Sequence, residues 1–537
     1  MNTPTIARKC GLPERTRQPR ANELLDLHSP VTRTKNILRA TALTSVMGYA
    51  GQVLSLVAIP LYLRTMGVEN YGLMLAALAL SHYFTMTDGG LSWGSMILMA
   101  HAHGRRDRAE MAHIFRHGLV LALASGLLAM LIAVAVWMAA GSGWRLPMFA
   151  GNSISDRLIL IVGAQAATSP LIAMFYNVFF SMQEAQRPAL YQGAARLLGT
   201  LVGIGAILVW RGEPWIVLAC NLAVTLVAAT VTALILWRRH PWIFARGSCR
   251  DTRQFERQLR TGGKNFFLQL ARVLSATAPV LVLSSFAGPA TVPLYTLSLT
   301  LIQLVLAPLQ SWAAYAQTAY GEAWAAGQKD WVVETFRRTL HNTMLISGIV
   351  LAVVVPLIGP AVALISGGRL IVPPLMCLGV AVSCTVGVFV TTGQYLLTGL
   401  NRQRHAALAE LGSGITGFAF CVLGVYYWGP DSVGWGFALA ASLTSVWVLR
   451  REICRHLEIE RLPVSSAHVW RVIAGLVLTT LLVRLWPQNA SLSISARVVE
   501  LAVTALVGTT IYGGWALAFG TLSWQEIRSL CSRRQFI

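Results

Sequence analysis

The sequence predicts an all-α polytopic membrane protein with about fourteen transmembrane helices. Three observations predict it. Apolar segments recur from Ala40 to Phe519, and most are long enough to cross a hydrocarbon core of ~30 Å as a helix of ~20 residues. Positive charge falls on every second gap between them. Tryptophans mark many segment ends (Trp137, Trp144, Trp210, Trp215, Trp237, Trp428, Trp486 and Trp524), and indoles prefer the headgroup level. Composition agrees: 55% of the 537 residues are hydrophobic and 12% are charged, against about 25% charged in soluble domains.

Residues 1–39 are polar and basic with no apolar core, which predicts a largely disordered cytoplasmic segment and no cleaved signal peptide. Span 1, Ala40–Leu63, then serves as the insertion signal. Spans 2 to 6 follow at Tyr71–Ala100, His117–Ala140, Leu158–Met182, Leu190–Trp210 and Trp215–Trp237. A basic linker, 238–264, is the longest gap and is too short for an extramembrane domain. Spans 7 to 12 are Phe266–Phe286, Thr291–Ala316, Leu340–Ser366, Ile371–Leu397, Ala406–Trp428 and Val433–Leu449. Spans 13 and 14 are Val472–Trp486 and Ala496–Phe519. The predicted organisation is a six-helix bundle at 40–237, the linker, a second bundle at 265–450, and a two-helix segment with a cytoplasmic tail at 451–537. External gaps are short and turn-like, as in Arg211-Gly212-Glu213-Pro214 and Gly429-Pro430-Asp431.

Orientation follows from charge. With the amino terminus inside, most of the 43 Lys and Arg fall on cytoplasmic gaps or inner span ends, as short basic loops require. The exceptions are Arg64, Arg145, Arg157, Arg211, Arg369, Arg484 and Arg497 on the outer side, and Arg272 deep within a span. Both termini are thus expected in the cytoplasm.

The net charge of +21 does not indicate nucleic acid, because it is scattered over loop ends. Topology and anionic lipid headgroups explain it, and an anionic lipid-linked substrate is a second, compatible reason. None of the eight cysteines falls in an external loop, so no disulfide framework is expected. No metal-ligand spacing, phosphate-binding G-x-x-x-x-G-K-[ST], H-E-x-x-H or G-x-S-x-G is present. No external loop gathers the carboxylates that a glycosyltransferase or polymerase needs. A secondary transporter remains.

A weak internal repeat supports two parallel halves. The run ending Gln186-Arg187, with Ala189 after it, leaves span 4, and the run ending Gln403-Arg404, with Ala406 after it, leaves span 10. Such halves place a cavity between them.

Charge inside spans is costly and marks candidate sites. Asp88 lies about 26 Å into span 2 and is followed by Gly89-Gly90, which loosens the helix. It is either a cavity carboxylate, holding a coupling cation or a lumen arginine, or a local cap or packing ion pair. Arg272 lies about 12 Å up span 7. Its guanidinium suits a pyrophosphate group; a structural pair with Asp88 or Glu410, or a snorkelled side chain, is the other reading. Arg39 and Lys264, at the inner ends of spans 1 and 7, rim an entrance or serve topology alone. Glu410 in span 11 and Arg196 in span 5 are weaker charges of the same kind; Glu500 is expected at the interface, and His82 is expected to be a packing residue. Asn177 and Gln394 share the repeat offset and are candidate cavity-lining amides or interhelical hydrogen-bond donors. Pro60, Pro170, Pro293, Pro308, Pro356, Pro360, Pro373 and Pro374 are candidate kinks.

With these residues in view, the chain resembles the polysaccharide flippase (Wzx-type) branch of the MOP exporter superfamily. Pro60 to Gly72 is similar to the family's P-x-x-x-R-x-x-G-x-x-x-Y-G passage, and Asp88-Gly89-Gly90-Leu91 to its D-x-G-L. Asn36 matches an early Asn, Gly288 through Tyr295 resembles the second-half passage, and Leu397 to Arg402 resembles the tenth-helix exit. Two departures stand out. Pro293 replaces a usual Gly, and Thr277 to Val280 occupy a region that often holds an acidic residue. The resemblance implies two six-helix bundles facing each other in a V, two added helices and alternating access. It implies a location in the bacterial inner membrane and an undecaprenyl-pyrophosphate-linked oligosaccharide as substrate, for O-antigen, capsule or exopolysaccharide. Polymerase and chain-length proteins would be further partners. No cofactor is implied, and a proton or sodium ion is the candidate coupling ion. The alternatives are a cation-coupled multidrug exporter of the same superfamily, a membrane-integral polymerase or glycosyltransferase, and export of lipid II.

Overall fold

The computed structural model describes residues 30–459, apart from 106, 142–154, 183, 185, 211–212, 245–251, 326, 401 and 403, together with scattered helical residues between 471 and 514. Residues 1–29, expected to be disordered, and most of spans 13 and 14 lie outside the described residues. Every long element is an α-helix, because hydrocarbon offers no partner for backbone N–H and C=O groups and a helix satisfies its own.

The helices in order are α1 Pro30–Thr65, α2 Gly67–Phe84, α3 Leu91–Gly104, α4 Arg108–Gly141, α5 Ser155–Ser181, α6 Gln186–Val209 and α7 Pro214–Arg239. They continue with α8 Thr252–Phe286, α9 Val292–Ala325, α10 Lys329–Ser366, α11 Pro374–Gly399, α12 Arg404–Trp428, α13 Val433–Leu443 and α14 Ser445–Leu457. Among the described residues, 11 helical stretches are long and apolar enough to cross a membrane; α2 and α3 together supply a further crossing.

Four predicted segments differ from the structure. Span 2 is two helices, parted by a 3-10 turn at Thr85–Asp88 and by Gly89 and Gly90. Span 12 is parted at Thr444, where φ is −119° and ψ −72°. Helix α1 begins at Pro30, inside the segment predicted to be disordered. The linker is largely structured: Pro241–Phe244 forms a 3-10 turn with Ile243 fully buried, and α8 starts at Thr252. The polarity of these stretches marks them as leaving the hydrocarbon, and the same polarity suits a helix whose apolar stripe packs on protein.

The two halves repeat one packing pattern. Helix α1 packs on α6 as α8 packs on α12; α6 on α7 as α12 on α13; α3 on α5 as α9 on α11. One large apolar core includes residues of both halves and takes in Ile473 and Tyr512 from the stretches of spans 13 and 14. A smaller core around Phe115, Met174, Phe179 and Ile243 closes the basic end of the first half.

At the end opposite the basic gaps, the halves touch. Gly72 of α2 faces the Pro289 carbonyl so closely that a Cβ would overlap it. Arg369, between α10 and α11, donates from Nη1 to the Leu63 carbonyl of α1 at 2.8 Å. At the basic end, the α8 extension makes the contact: Gln258 donates from Nε2 to the Ile114 carbonyl at 2.8 Å, and Gly262 lies against Leu91.

Candidate functional site

The break in span 2 is built by local chemistry. Helix α2 stops at Phe84 and passes into the turn, and Gly89 and Gly90 then adopt φ of 56° and 73°. Residues with a Cβ pay about 1–2 kcal/mol in that region, and glycine does not. Asp88, 7% exposed, then caps α3. Its Oδ2 accepts from the Ser92 backbone N–H and its Oδ1 from Ser92 Oγ, both at 3.0 Å. Ser92 is held from behind as well, because Asn177 on α5 donates from Nδ2 to its carbonyl at 2.9 Å. Thr87 donates to the Ser125 carbonyl on α4 at 3.1 Å. The break is thus tied to both neighbouring helices.

This corner faces a cavity of about 560 Å³ between the halves. The first half contributes Asp88, Ser92, Trp93, Pro170 and Asn177; the second contributes Gln269, Arg272, Gln317, Tyr395 and Thr398. Arg272 projects from α8 with its guanidinium carbon 5.9 Å from the centroid of the Tyr395 ring, a cation–π distance. It makes no hydrogen bond or salt bridge among the described residues. Glu410 on α12 acts on Arg272 electrostatically and accepts a hydrogen bond from Gln394 Nε2 on α11.

The structure therefore brings Asp88, Asn177 and Arg272 to one cavity. It does not bring Gln394 to the lining: that side chain is buried, and its amide is spent on Glu410. Arg39 and Lys264 lie in the helical backbone of α1 and α8, and their side chains are outside the described residues. Arg196 runs along Gly51 of α1, away from the cavity lining. His82 engages the Leu78 carbonyl of its own helix through Nδ1 at 2.9 Å. Glu500 is outside the described residues.

Sequence reasoning missed Trp93, Tyr395, Gln269 and Gln317. Gln269 carried a readable signal: it precedes Arg272 by three residues and so shares its helix face. Trp93 carried none, since an aromatic in a span reads as packing or interface. In the fold its side chain is 53% exposed beside the cavity.

Among the described residues, one cation, one carboxylate bonded to Ser92, neutral amides and hydroxyls, and two aromatic rings form a wall that can hold an anionic group attached to a polar, hydroxyl-rich body. Residues 37–320, over half of the chain, match the family described as polysaccharide biosynthesis protein. The chain belongs to that family. No curated protein matches it by sequence. Among solved structures, this polysaccharide biosynthesis family member is similar to the lipid II flippase MurJ in an inward closed conformation, with a TM-score of 0.64 at 11% identity over 91% of this chain and 100% of that one. It is similar to an inward-facing multidrug resistance MATE family transporter of the MOP superfamily, with a TM-score of 0.59 at 16% identity, covering 77% and 95%. A MOP superfamily transporter from Pyrococcus furiosus, reported to have a binding pocket of reverse polarity, gives 0.54 at 15% identity, covering 79% and 97%. These likenesses establish the MATE/MOP-like helical fold of a multi-pass membrane protein.

Proposed function

We propose that the protein is a flippase that moves an undecaprenyl-pyrophosphate-linked oligosaccharide across the bacterial inner membrane by alternating access, for O-antigen, capsule or exopolysaccharide assembly. The observation that carries this reading is Arg272: a guanidinium without a hydrogen-bonding partner among the described residues, facing a polar cavity between two halves. A guanidinium engages a diphosphate through paired hydrogen bonds. The saccharide is then solvated by amides and hydroxyls while the polyprenyl tail stays in lipid. Without such a path the head would lose its hydrogen bonds to water, at several kcal/mol for each unpaired group.

Alternating access needs a seam that opens, and the Leu63–Arg369 and Gly72–Pro289 contacts at one end are the seam this reading requires. The distribution of basic gaps supports an orientation with that end outside and both termini in the cytoplasm. The basic inner face suits anionic lipids, and a proton or sodium ion is the coupling candidate. Polymerase and chain-length proteins are the expected partners downstream.

The second reading, a cation-coupled multidrug exporter, draws on Asp88 in the cavity. Each Asp88 oxygen already accepts a hydrogen bond from Ser92, whereas Arg272 makes no hydrogen bond or salt bridge among the described residues, so Arg272 is the more available charge and favours an anionic ligand. The test is reconstitution into vesicles with a fluorescent polyprenyl-diphosphate saccharide. Arg272→Ala is expected to slow translocation at least tenfold and Arg272→Lys less. Equal rates for both variants and the unaltered protein would remove Arg272 from the mechanism.

A further inference from the structure

We propose that Glu410 is a positioning residue for Arg272 and that it takes up one proton from water when an anionic group engages that arginine. This rests on the flippase reading above and adds a coupling mechanism to it. The geometry is a relay across three helices: Gln394 on α11 donates to Glu410 on α12, and one turn along α12 Gly414 packs against Ala271 and Leu274, which flank Arg272 on α8, so that the charges of Glu410 and Arg272 act on each other. The adjacent α11 residue, Tyr395, supplies the ring that flanks the guanidinium. Arg272 and Tyr395 line the cavity; Glu410 and Gln394 form the layer behind them.

In the empty cavity the carboxylate and the guanidinium balance. A diphosphate that binds Arg272 takes over that partner and leaves Glu410 as a second negative charge behind the site. Like charges held close together inside a membrane span do not both stay ionised. A proton on the Glu410 carboxylate removes one of the negative charges crowding the site, and it leaves again when the anion is released. The groups around Glu410 leave it as the acceptor. From α8 the acting charge is Arg272. From α11 it meets the Gln394 amide, with the Tyr395 phenol next along. Helix α13 carries no titratable side chain. On α14, Ser445 is level with Ala409 at 3.4 Å; the charges there begin at Arg450, and Glu452 pairs with His456 at 3.3 Å. Asp88, across the cavity, is committed to Ser92.

The test uses the full chain in lipid nanodiscs and farnesyl-diphospho-N-acetylglucosamine, whose diphosphate is esterified at both ends and does not titrate near neutral pH. Calorimetry in two buffers of different ionisation enthalpy reads protons taken up per ligand bound. The unaltered protein is expected to take up close to one proton at a pH between the Glu410 midpoints of the empty and the ligand-bound protein and none well below both, Glu410→Asp likewise, and Glu410→Gln none while still binding. Uptake undiminished in Glu410→Gln would overturn the proposal, as would the absence of any uptake by the unaltered protein. A Glu410→Gln variant that fails to fold leaves Glu410→Asp to decide, since an unaltered uptake midpoint in that variant, with its shorter reach to Gln394 and Arg272, also counts against the proposal. Binding that is equally strong in Arg272→Ala defeats the flippase reading itself, which is a separate outcome.

Discussion

In the first half, the amide of Asn177 donates to the Ser92 carbonyl and holds the broken second span. In the second half, the amide at the matching position, Gln394, donates to Glu410 behind the cavity wall. The helices that carry them differ in the same sense. The apolar window of α11 is 72% buried, that of α5 only 39%, and Asn177 lines the cavity where Gln394 does not. Their neighbours differ too. Spans 2 and 8 correspond, yet α2 and α3 are parted at Gly89-Gly90 while α9 runs unbroken for 34 residues. One repeated architecture thus assigns a bent, pinned corner to one half and a charged relay to the other.

That contrast can be broken experimentally, starting where the effect is largest. Gly90→Val places a β-branched residue at φ 73° and is expected to cost about 1–3 kcal/mol, lowering the melting temperature of the purified protein by several degrees. No change would mean that the break is not needed to hold the corner. Next, Asp88→Ala removes the cap of α3 at a cost of about 1 kcal/mol, whereas Asp88→Asn, which keeps an acceptor oxygen, costs a few tenths. If transport by Asp88→Asn keeps its pH and sodium dependence, Asp88 is a cap; an altered dependence would make it an ion site as well.

Smaller effects sharpen the comparison. Arg369→Ala deletes the bond to the Leu63 carbonyl and is expected to shift the open population at that end about fivefold, from a bond worth about 1 kcal/mol. Distances between spin labels on α1 and α10 would report it, and unchanged distributions would exclude a latch there. Of similar size, Asn177→Ala and Gln394→Ala should each lower stability by about 1 kcal/mol and combine additively, because they serve separate networks. Strong coupling between them in a double-mutant cycle would show the halves to be linked through the cavity.

Much of the architecture was legible because hydrocarbon imposes a strict code: apolar length gives a crossing and charge gives its end. A loosening at Gly89-Gly90 was readable too, since glycine lacks the Cβ that confines a helix to its dihedrals, but the full parting into two helices was not. Nor was the break at Thr444, because the polar residues there, Ser442, Thr444 and Ser445, are small hydroxyls that a membrane-spanning helix ordinarily accommodates. Within the site, Arg272 and Asp88 announced themselves as charges in lipid. Trp93 and Tyr395 did not, since aromatic residues belong in spans anyway. The sequence also named Gln394 and Glu410 separately, with nothing to suggest that they meet.

Composition and periodicity by themselves determined that this is a helical membrane protein with two similar halves and a basic face, because transfer free energy depends on residue type and spacing alone. Only the tertiary structure decided which polar side chains are spent on each other and which remain for a ligand. Asp88 closes on Ser92, Gln394 closes on Glu410, and Arg272 is left facing the cavity. Hydrogen bonds depend on ångström distances between helices far apart in the chain, and no pattern along one helix encodes those distances.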